Sequence, residues 1–526
     1  MPFPLFRQVL CAGTFLLSLA ASVPVAAQDV TISDLGAAYY SGFKTVDGQF
    51  YYMLRQERNV YDLFHLEIYG RDLQKKSSTD LRLGRNWYQG AARAVGDNGI
   101  FYFFTGKEGL LVQVNAAGQK TKEVRVPASD VYGSVVSIKA TGDGDFYLTY
   151  PIDADKKGYV VARYGPDLTA KWQKEFAPEK GKYRVRYFEA TPAAVYTVLD
   201  NSKAGWEVSC LDAATGTEKS RQELQPAASG FEPTMTAVDP AGQLLVAGTY
   251  RDQQKTAFVS IEKPGTPPPG GLFVLGLGPD GKQAFVSRMS YAADLAGKLN
   301  TRSTIQPFTV GEVPALKLHA LVPRPGGGYA FIGETYKVFS FTDPQYEAAG
   351  GVRAPGTGGA GPGPQRRNIL DFVVLELSAQ GQLQSLRRIP KPYKIYHNHN
   401  AGGGPKEFEN ETAFAYRFLY QPDPAKLPEV VFLNWHQNLL YVNSLKTGTD
   451  TRDNLFTRRY LDQPAVPGAA DRGELTVRDF SNDISKPPAE LFYDEILPHA
   501  PGKFVYSHYE PSQSSLRLQV LDVPGK

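Results

Sequence analysis

The sequence predicts an all-β fold built from about eight repeats of one four-stranded unit. Three observations carry this. Tyr and Phe are abundant (30 and 29 of 526 residues) beside 51 Gly and 38 Pro, the mixture expected of many short strands joined by tight turns. A hairpin of fixed layout recurs along the chain. A second hairpin precedes it, and its turns recur about every 48 residues over the first units, a spacing typical of stacked or ring-closed repeats.

The later hairpin of each unit is plain to read. Val112 to Gly118 leads into Gln119 to Val126, and Val161 to Asp167 leads into Leu168 to Phe176. Val208 to Gly216, Val274 to Gly281 and Leu375 to Gly381 do the same. Each is a strand of alternating apolar residues, a turn containing Gly or Asp, and a more polar strand. The earlier hairpin turns at Asp47-Gly48, Asp97-Asn98-Gly99, Asp143-Gly144, Pro240-Ala241-Gly242, Gly326-Gly327-Gly328 and Pro501-Gly502. A run rich in Tyr, Phe, Val and Leu follows each turn.

Each unit thus has strands A, B, C and D. B is the most apolar, as a strand covered on both faces should be, and D the most polar, as an outer edge should be. One unit cannot bury both faces of its sheet, so neighbours must stack on it, and a ring gives every unit a neighbour. The expected architecture is a β-propeller of eight, alternatively seven, four-stranded blades. The approximate units are 34–86, 87–128, 129–180, 181–227, 228–292, 293–391, 392–462 and 463–526. The last unit runs out after strand C, while Asp29 to Ser33 precedes the first strand A. Residues 28–33 are therefore expected to supply the missing strand D and close the ring, since a bare C edge would invite pairing with other chains.

Residues 1–27 read as a signal peptide: Arg7, an apolar stretch from Val9 to Val25, and the small-residue site Val25-Ala26-Ala27. Cys11 precedes most of the apolar stretch, and Leu10 stands where a lipoprotein box needs a small residue, so lipidation is not expected. No later segment stays apolar long enough to span a bilayer. A single propeller domain over 28–526, periplasmic or secreted, follows. Cys210 is then the one cysteine of the mature chain, and alternation with Trp206 and Val208 places it on an apolar face as an inert thiol. Net charge is +3 with both signs interspersed, which argues against nucleic acid as a partner.

The repeats carry a resemblance. Leu211-Asp-Ala-Ala-Thr-Gly-Thr-Glu-Lys219 resembles the outer hairpin of PQQ-dehydrogenase-like propeller repeats. Leu244 to Tyr250, and Phe372 to Leu377 followed by Gly381, resemble repeats of other exported bacterial propellers. The chain is similar to uncharacterised exported proteins of Bacteroidota. The resemblance covers nearly all of the mature chain and implies packing rather than chemistry. That family places a docking Trp near the end of most units, and only Trp172 matches, so no PQQ or other cofactor is expected.

Function is expected at the end of the ring that gathers the B–C and D–A connections. The long insertions fall there, at 254–271, 293–313, 341–367, 390–411 and 463–489, and long loops on a rigid scaffold are where binding usually resides. Trp87, Tyr88 and Tyr132, with Trp435 and His436, are the candidate ligand-binding residues, because aromatic faces stack on sugars and peptides. Tyr183 and Phe231 occupy similar positions, with packing between blades as their other use. His397 and His399, near His436, are weak candidates for a metal site. No GxSxG, HExxH, P-loop or CxxC pattern occurs. The reading that follows is an exported binding or interaction protein that holds a glycan, a peptide or an envelope protein. The alternative is a polysaccharide- or peptide-cleaving hydrolase or lyase with its site over the ring centre.

Overall fold

In the computed structural model the described residues are 29–33, 35, 40–46, 49–56, 63–83, 87–105, 108–127, 137–141, 143–152, 158–224, 230–251, 270–299, 314–324, 327–340, 365–389, 395–398, 416–420, 429–435, 449–451, 454–460, 475–477, 481–483, 495–500, 503–510 and 515–522. They form seven four-stranded sheets, one five-stranded sheet and a two-strand pair, all antiparallel where neighbours follow in sequence. The eight larger sheets are the blades of an all-β propeller.

Blade 1 runs through Tyr40–Val46, Phe50–Gln56, Leu63–Tyr69 and Lys75–Arg82. Blade 2 has Tyr88–Val95, Asn98–Phe104, Glu108–Val114 and Lys120–Pro127. Blade 3 has Ser137–Ala140, Phe146–Pro151, Tyr159–Tyr164 and Ala170–Phe176. Blade 4 has Tyr183–Ala190, Ala194–Asn201, Gly205–Asp212 and Glu218–Glu223. Blade 5 has Gly230–Val238, Leu244–Arg251, Gly271–Leu277 and Gln283–Ser290. Blade 6 has Ala315–Pro323, Tyr329–Ser340, Gln365–Leu377 and Leu383–Ile389. Blade 7 has Tyr416–Tyr420, Glu429–Trp435, Asn454–Tyr460 and Leu475–Val477. Blade 8 joins Glu495–Pro498, Lys503–Glu510 and Ser515–Asp522 to Asp29–Ile32 from the other end of the chain.

The burial order explains the strand order. Strand B of blade 3, Phe146–Pro151, is buried at every position, whereas strand D of the same blade is exposed or half-buried throughout. The A strands adjoin one another in the succession of blades 8, 1, 2, 3, 4, 5 and 6, so A is innermost. Apolar clusters fill the spaces between blades. One joins Ile100, Tyr102 and Leu111 of blade 2 to Leu148, Tyr150 and Val160 of blade 3.

A single device recurs where strand D of one blade meets the C–D turn of the next. The turn residue has positive φ: Gly118 (80°), Gly216 (69°), Gly281 (76°) and Gly381 (74°), with Leu73 (55°) and Leu168 (59°) as non-glycine members. Ser77 of blade 1 donates to the Gly118 carbonyl, and Ser220 of blade 4 to that of Gly281 at 3.1 Å. Trp172 of blade 3 lies on Gly216, where a Cβ would come within 2.7 Å of the indole, and its Nε1 donates to Ala213 O at 3.2 Å. Leu73 and Leu168 show that the φ alone admits another residue, so it is the indole that requires glycine at 216.

The ring closes as expected. Asp29, Val30, Thr31 and Ile32 pair antiparallel with Gln519, Leu518, Arg517 and Leu516. Val30 and Ile32 pack on a cluster that includes Leu73 and Tyr69 of blade 1 with Leu516 and Leu518 of blade 8. Residues 1–27, expected as a signal peptide, lie outside the described residues.

Three expected loops contain ordered elements. The boundary at 462 is corrected: Leu475–Val477 is strand D of blade 7, and Ser481–Asp483 pairs with Thr449–Thr451. Three-residue strands are too short to show alternation in sequence. Within 390–411, Ile395–Asn398 adds a fifth strand beside Arg366–Ile369 of blade 6. Within 293–313, a helical turn that begins at Tyr291 runs to Leu299, and Leu295 and Leu299 are buried.

Candidate functional site

The sequence-selected residues fall in several places. Trp87 is half-buried and packs against the cluster between blades 1 and 2 that contains Val46, Phe50 and Tyr52. Tyr88 opens strand A of blade 2, opposite Phe104. Trp435 ends strand B of blade 7, opposite Asn454, and His397 lies on the fifth strand of blade 6, opposite Arg367. Tyr132, His399 and His436 lie outside the described residues. Phe231 stacks on Phe273 at 4.3 Å, which is core packing. Cys210 is buried with its thiol pushed up to about 11 by that burial, against the pull of Lys219. Such a thiol is a poor nucleophile. Among the described residues, no group of three or more His, Cys, Asp and Glu is placed to hold a metal ion.

The described residues line an open cleft of about 650 Å³ where blade 3 hands over to blade 4. It lies on the end of the ring that gathers B–C and D–A connections. Its walls come from the end of strand D of blade 3 (Glu175, Phe176), the D–A connection (Ala177, Glu179, Lys180), and the B–C turn of blade 4 (Asn201, Lys203, Ala204). The floor is Tyr183, Glu207, Glu218 and Arg221, from strands A, C and D of blade 4.

Local sequence explains the shape of the rim. Asn201 Oδ1 accepts from the backbone N–H groups of Lys203 (3.0 Å) and Ala204 (3.3 Å), an Asx-type turn that fixes the B–C connection. Ser202 ties this turn to the D–A connection, with its N–H donating to Lys182 O at 3.1 Å and its Oγ accepting from Lys182 N at 3.0 Å. Both lips of the cleft are therefore held by backbone bonds.

The floor is one hydrogen-bonded network. Arg221 Nε and Nη2 donate to the two oxygens of Glu218 at 2.9 and 3.0 Å, the fork geometry that suits guanidinium and carboxylate. Arg221 Nη1 donates to the Tyr183 hydroxyl at 2.8 Å, which donates to Glu207 Oε2 at 3.2 Å. Asn201 Nδ2 donates to Glu207 Oε1 at 2.8 Å. The guanidinium also lies over the rings of Tyr183 (5.2 Å) and Phe176 (5.7 Å). Burial pulls the Arg221 pKa down, but the bond to Glu218 and the nearby Tyr159, Glu218 and Tyr183 hold it above its usual value. Burial pushes the Tyr183 phenol up to about 12, opposed by Arg221 and aided by Glu207.

On the floor, Glu207 and Glu218 both engage the Arg221 guanidinium, at 3.6 and 2.9 Å. Sequence reasoning found Tyr183 as one of the aromatics just before or within the expected A strands. It missed Glu207, Glu218 and Arg221, because alternating charge on strands C and D reads as ordinary edge solvation.

No family model matches the chain, and no curated protein matches it. Solved structures do resemble it in fold. The WD40 domain of SCAP from fission yeast is 7% identical with a TM-score of 0.42, covering 94% of this chain and 98% of that one. The Nup133 β-propeller domain of Vanderwaltozyma polyspora is 9% identical at 0.39, covering 82% and 94%. A protein of unknown function from Bacteroides caccae is 12% identical at 0.28, covering 62% and 89%.

Proposed function

We propose that this protein is an exported binding protein that holds a polar ligand, a glycan or a short peptide, on the end of the propeller where blades 3 and 4 meet. The cleft carries this reading. Its volume of about 650 Å³ suits a small oligomer, and its lips are fixed by backbone hydrogen bonds before any ligand arrives. Pre-set walls lower the ordering cost of binding. Glu179, Lys180, Lys203 and Tyr183 offer donors, acceptors and an aromatic edge, while the Arg221 network holds the floor in place. Export rests on the leader-like sequence of residues 1–27. No helix among the described residues is long and apolar enough to cross a membrane.

The test is a screen of defined oligosaccharides and short peptides by calorimetry, followed by Ala204→Trp, which fills the cleft from its rim. A binder whose affinity falls at least tenfold in Ala204→Trp supports the reading. A binder unaffected by that change, or turnover of the ligand, contradicts it.

A further inference from the structure

The floor of the blade 3–4 cleft satisfies itself, and its lips do not. Tyr183 and Phe176 are the aromatic residues that line it. A sugar ring needs an open aromatic face to stack on. Here the Arg221 guanidinium lies over both rings, 5.2 and 5.7 Å from their centroids. The buried Tyr159 stacks on Phe176 at 5.1 Å and meets Tyr183 edge-on at 5.8 Å. The aromatic surface is thus taken up by the protein. The polar groups of the floor are taken up in the same way. Glu207 accepts from Tyr183 and Asn201, and Glu218 accepts the Arg221 fork. A glycan would exchange these bonds for its own, with little net gain.

The lips offer what the floor lacks. Glu179 and Lys180 on the D–A connection, and Lys203 on the B–C turn, line the cleft and are exposed. None of the three has an ion pair or side-chain hydrogen bond among the described residues. Glu175, the remaining acid of the cleft, has an interaction of its own. Backbone geometry places Lys203. Gly181 has a φ of 87°, and a Cβ there would come within 3.0 Å of Lys203 Cγ. Glycine therefore lets the two lips approach and seats the lysine stem against the D–A lip. The cleft presents one unpaired carboxylate and two unpaired ammonium groups around a floor whose charged groups are bonded to one another.

On the reading of this cleft as a binding site, we propose that its ligand is a short peptide with both termini free. The ammonium end lies toward Glu179 and the carboxylate end toward Lys203. Such a molecule carries the two opposite charges that the lips leave unmatched, and it needs no aromatic platform. Lys180 adds to the pull on the carboxylate.

Calorimetry of the chain beginning at Gln28, at low salt, with trialanine, N-acetyl-trialanine, trialanine amide and maltotriose tests this. Trialanine should bind and maltotriose should not. Blocking either end should weaken binding about threefold to fivefold, the range for an exposed ion pair. Glu179→Gln should weaken trialanine by the same factor and leave the acetylated peptide unchanged. Lys203→Gln should weaken trialanine likewise and leave the amide unchanged. A merely structural change would weaken every probe alike. Both residues are exposed, so their replacement spares the core. No binding of trialanine, or equal affinity for free and blocked peptides, overturns the proposal. Maltotriose binding that falls in Ala204→Trp overturns it while leaving the cleft a binding site. Trialanine binding that Ala204→Trp leaves untouched contradicts binding at the cleft, and with it this proposal.

Discussion

The junction between blades 3 and 4 and the junction between blades 8 and 1 both bury an apolar cluster but add different devices to it. At the first, an apolar cluster that joins Tyr147, Tyr159 and Val161 of blade 3 to Val185, Val195 and Leu211 of blade 4 is supplemented by directed polar contacts. The Ala213 carbonyl accepts from Trp172 Nε1 (3.2 Å), the Tyr147 hydroxyl (2.9 Å) and Arg163 Nη1 (3.4 Å), while the indole covers Gly216. At the second, the neighbours come from the two ends of the chain. Here a borrowed strand pairs with Ser515–Asp522, and Val30 and Ile32 fill the place beside the Leu73 turn that Trp172 fills beside Gly216. One further contact joins blades 8 and 1. The Tyr51 hydroxyl lies 2.6 Å from His499 Nδ1 and 3.0 Å from Pro498 O. The lesson is that both junctions bury apolar clusters, and a covalently continuous neighbour needs only a few hydrogen bonds beside its cluster. The closing neighbour, which must first find its partner across the whole chain, is held by backbone pairing and apolar burial.

The largest expected effect follows from removing the borrowed strand. A chain that begins at Asp34 loses the ladder to Leu516–Gln519 and the burial of Val30 and Ile32, and should lose about 4 kcal/mol of stability. Urea unfolding against a chain that begins at Gln28 measures it. Equal midpoints would show that the ring closes without the strand. At the other junction, Trp172→Ala should cost about 2–3 kcal/mol, below the range for a fully buried Trp because this one is half-buried. Gly216→Ala should cost about 1–3 kcal/mol, from its positive φ and the indole in the way of a Cβ. Because these two residues touch, the double variant should cost less than the sum.

Smaller effects sharpen the contrast. Tyr147→Phe removes a donor to Ala213 and should cost about 1 kcal/mol. Between blades 2 and 3, the buried Tyr102 hydroxyl has no hydrogen-bond partner among the described residues, so Tyr102→Phe should be neutral or slightly stabilising. A cost as large as that of Tyr147→Phe would reveal a bridging group between those blades. The smallest effect is a pH dependence at the closing junction. Burial, with Arg71 and Lys503 adding to it, lowers the His499 pKa below its ordinary 6.5. The unfolded chain then binds the proton more readily than the folded one. This contribution is therefore fully present above about pH 6.5 and is lost as pH falls through the folded value. His499→Gln should flatten the acid side of the stability profile.

Much of this fold is legible in the sequence because its signals are local. Asp143-Gly144 and the turn at Pro240 to Gly242 mark hairpins, and Phe146–Pro151 reads as a strand covered on both faces. Closure was legible from a count of strands, since three in the last unit and a spare one before the first imply their pairing. What escaped reading depends on contacts far apart in sequence. The short strand Leu475–Val477 has no periodicity of its own, and Ile395–Asn398 is a strand only because Arg366–Ile369 lies beside it. The cleft floor was hidden for the same reason. Glu207, Glu218 and Arg221 are unremarkable as sequence, and only the pairing of strands C and D, with Tyr183 from strand A, makes them one network.

The closed ring, with both ends of the chain in one sheet, is tested most directly by a crosslink. Thr31 and Arg517 are register partners on adjacent antiparallel strands, close enough for a cysteine pair to bridge. Cys210, the one other cysteine after residue 27, is buried. In the chain beginning at Gln28, Thr31→Cys with Arg517→Cys should oxidise to an intramolecular disulfide in the folded protein, identified by mass spectrometry of the linked peptides. Thermal stability should match or exceed that of the uncrosslinked chain. Two free thiols after oxidation of the folded protein, or links only between separate molecules, would contradict closure by the N-terminal strand.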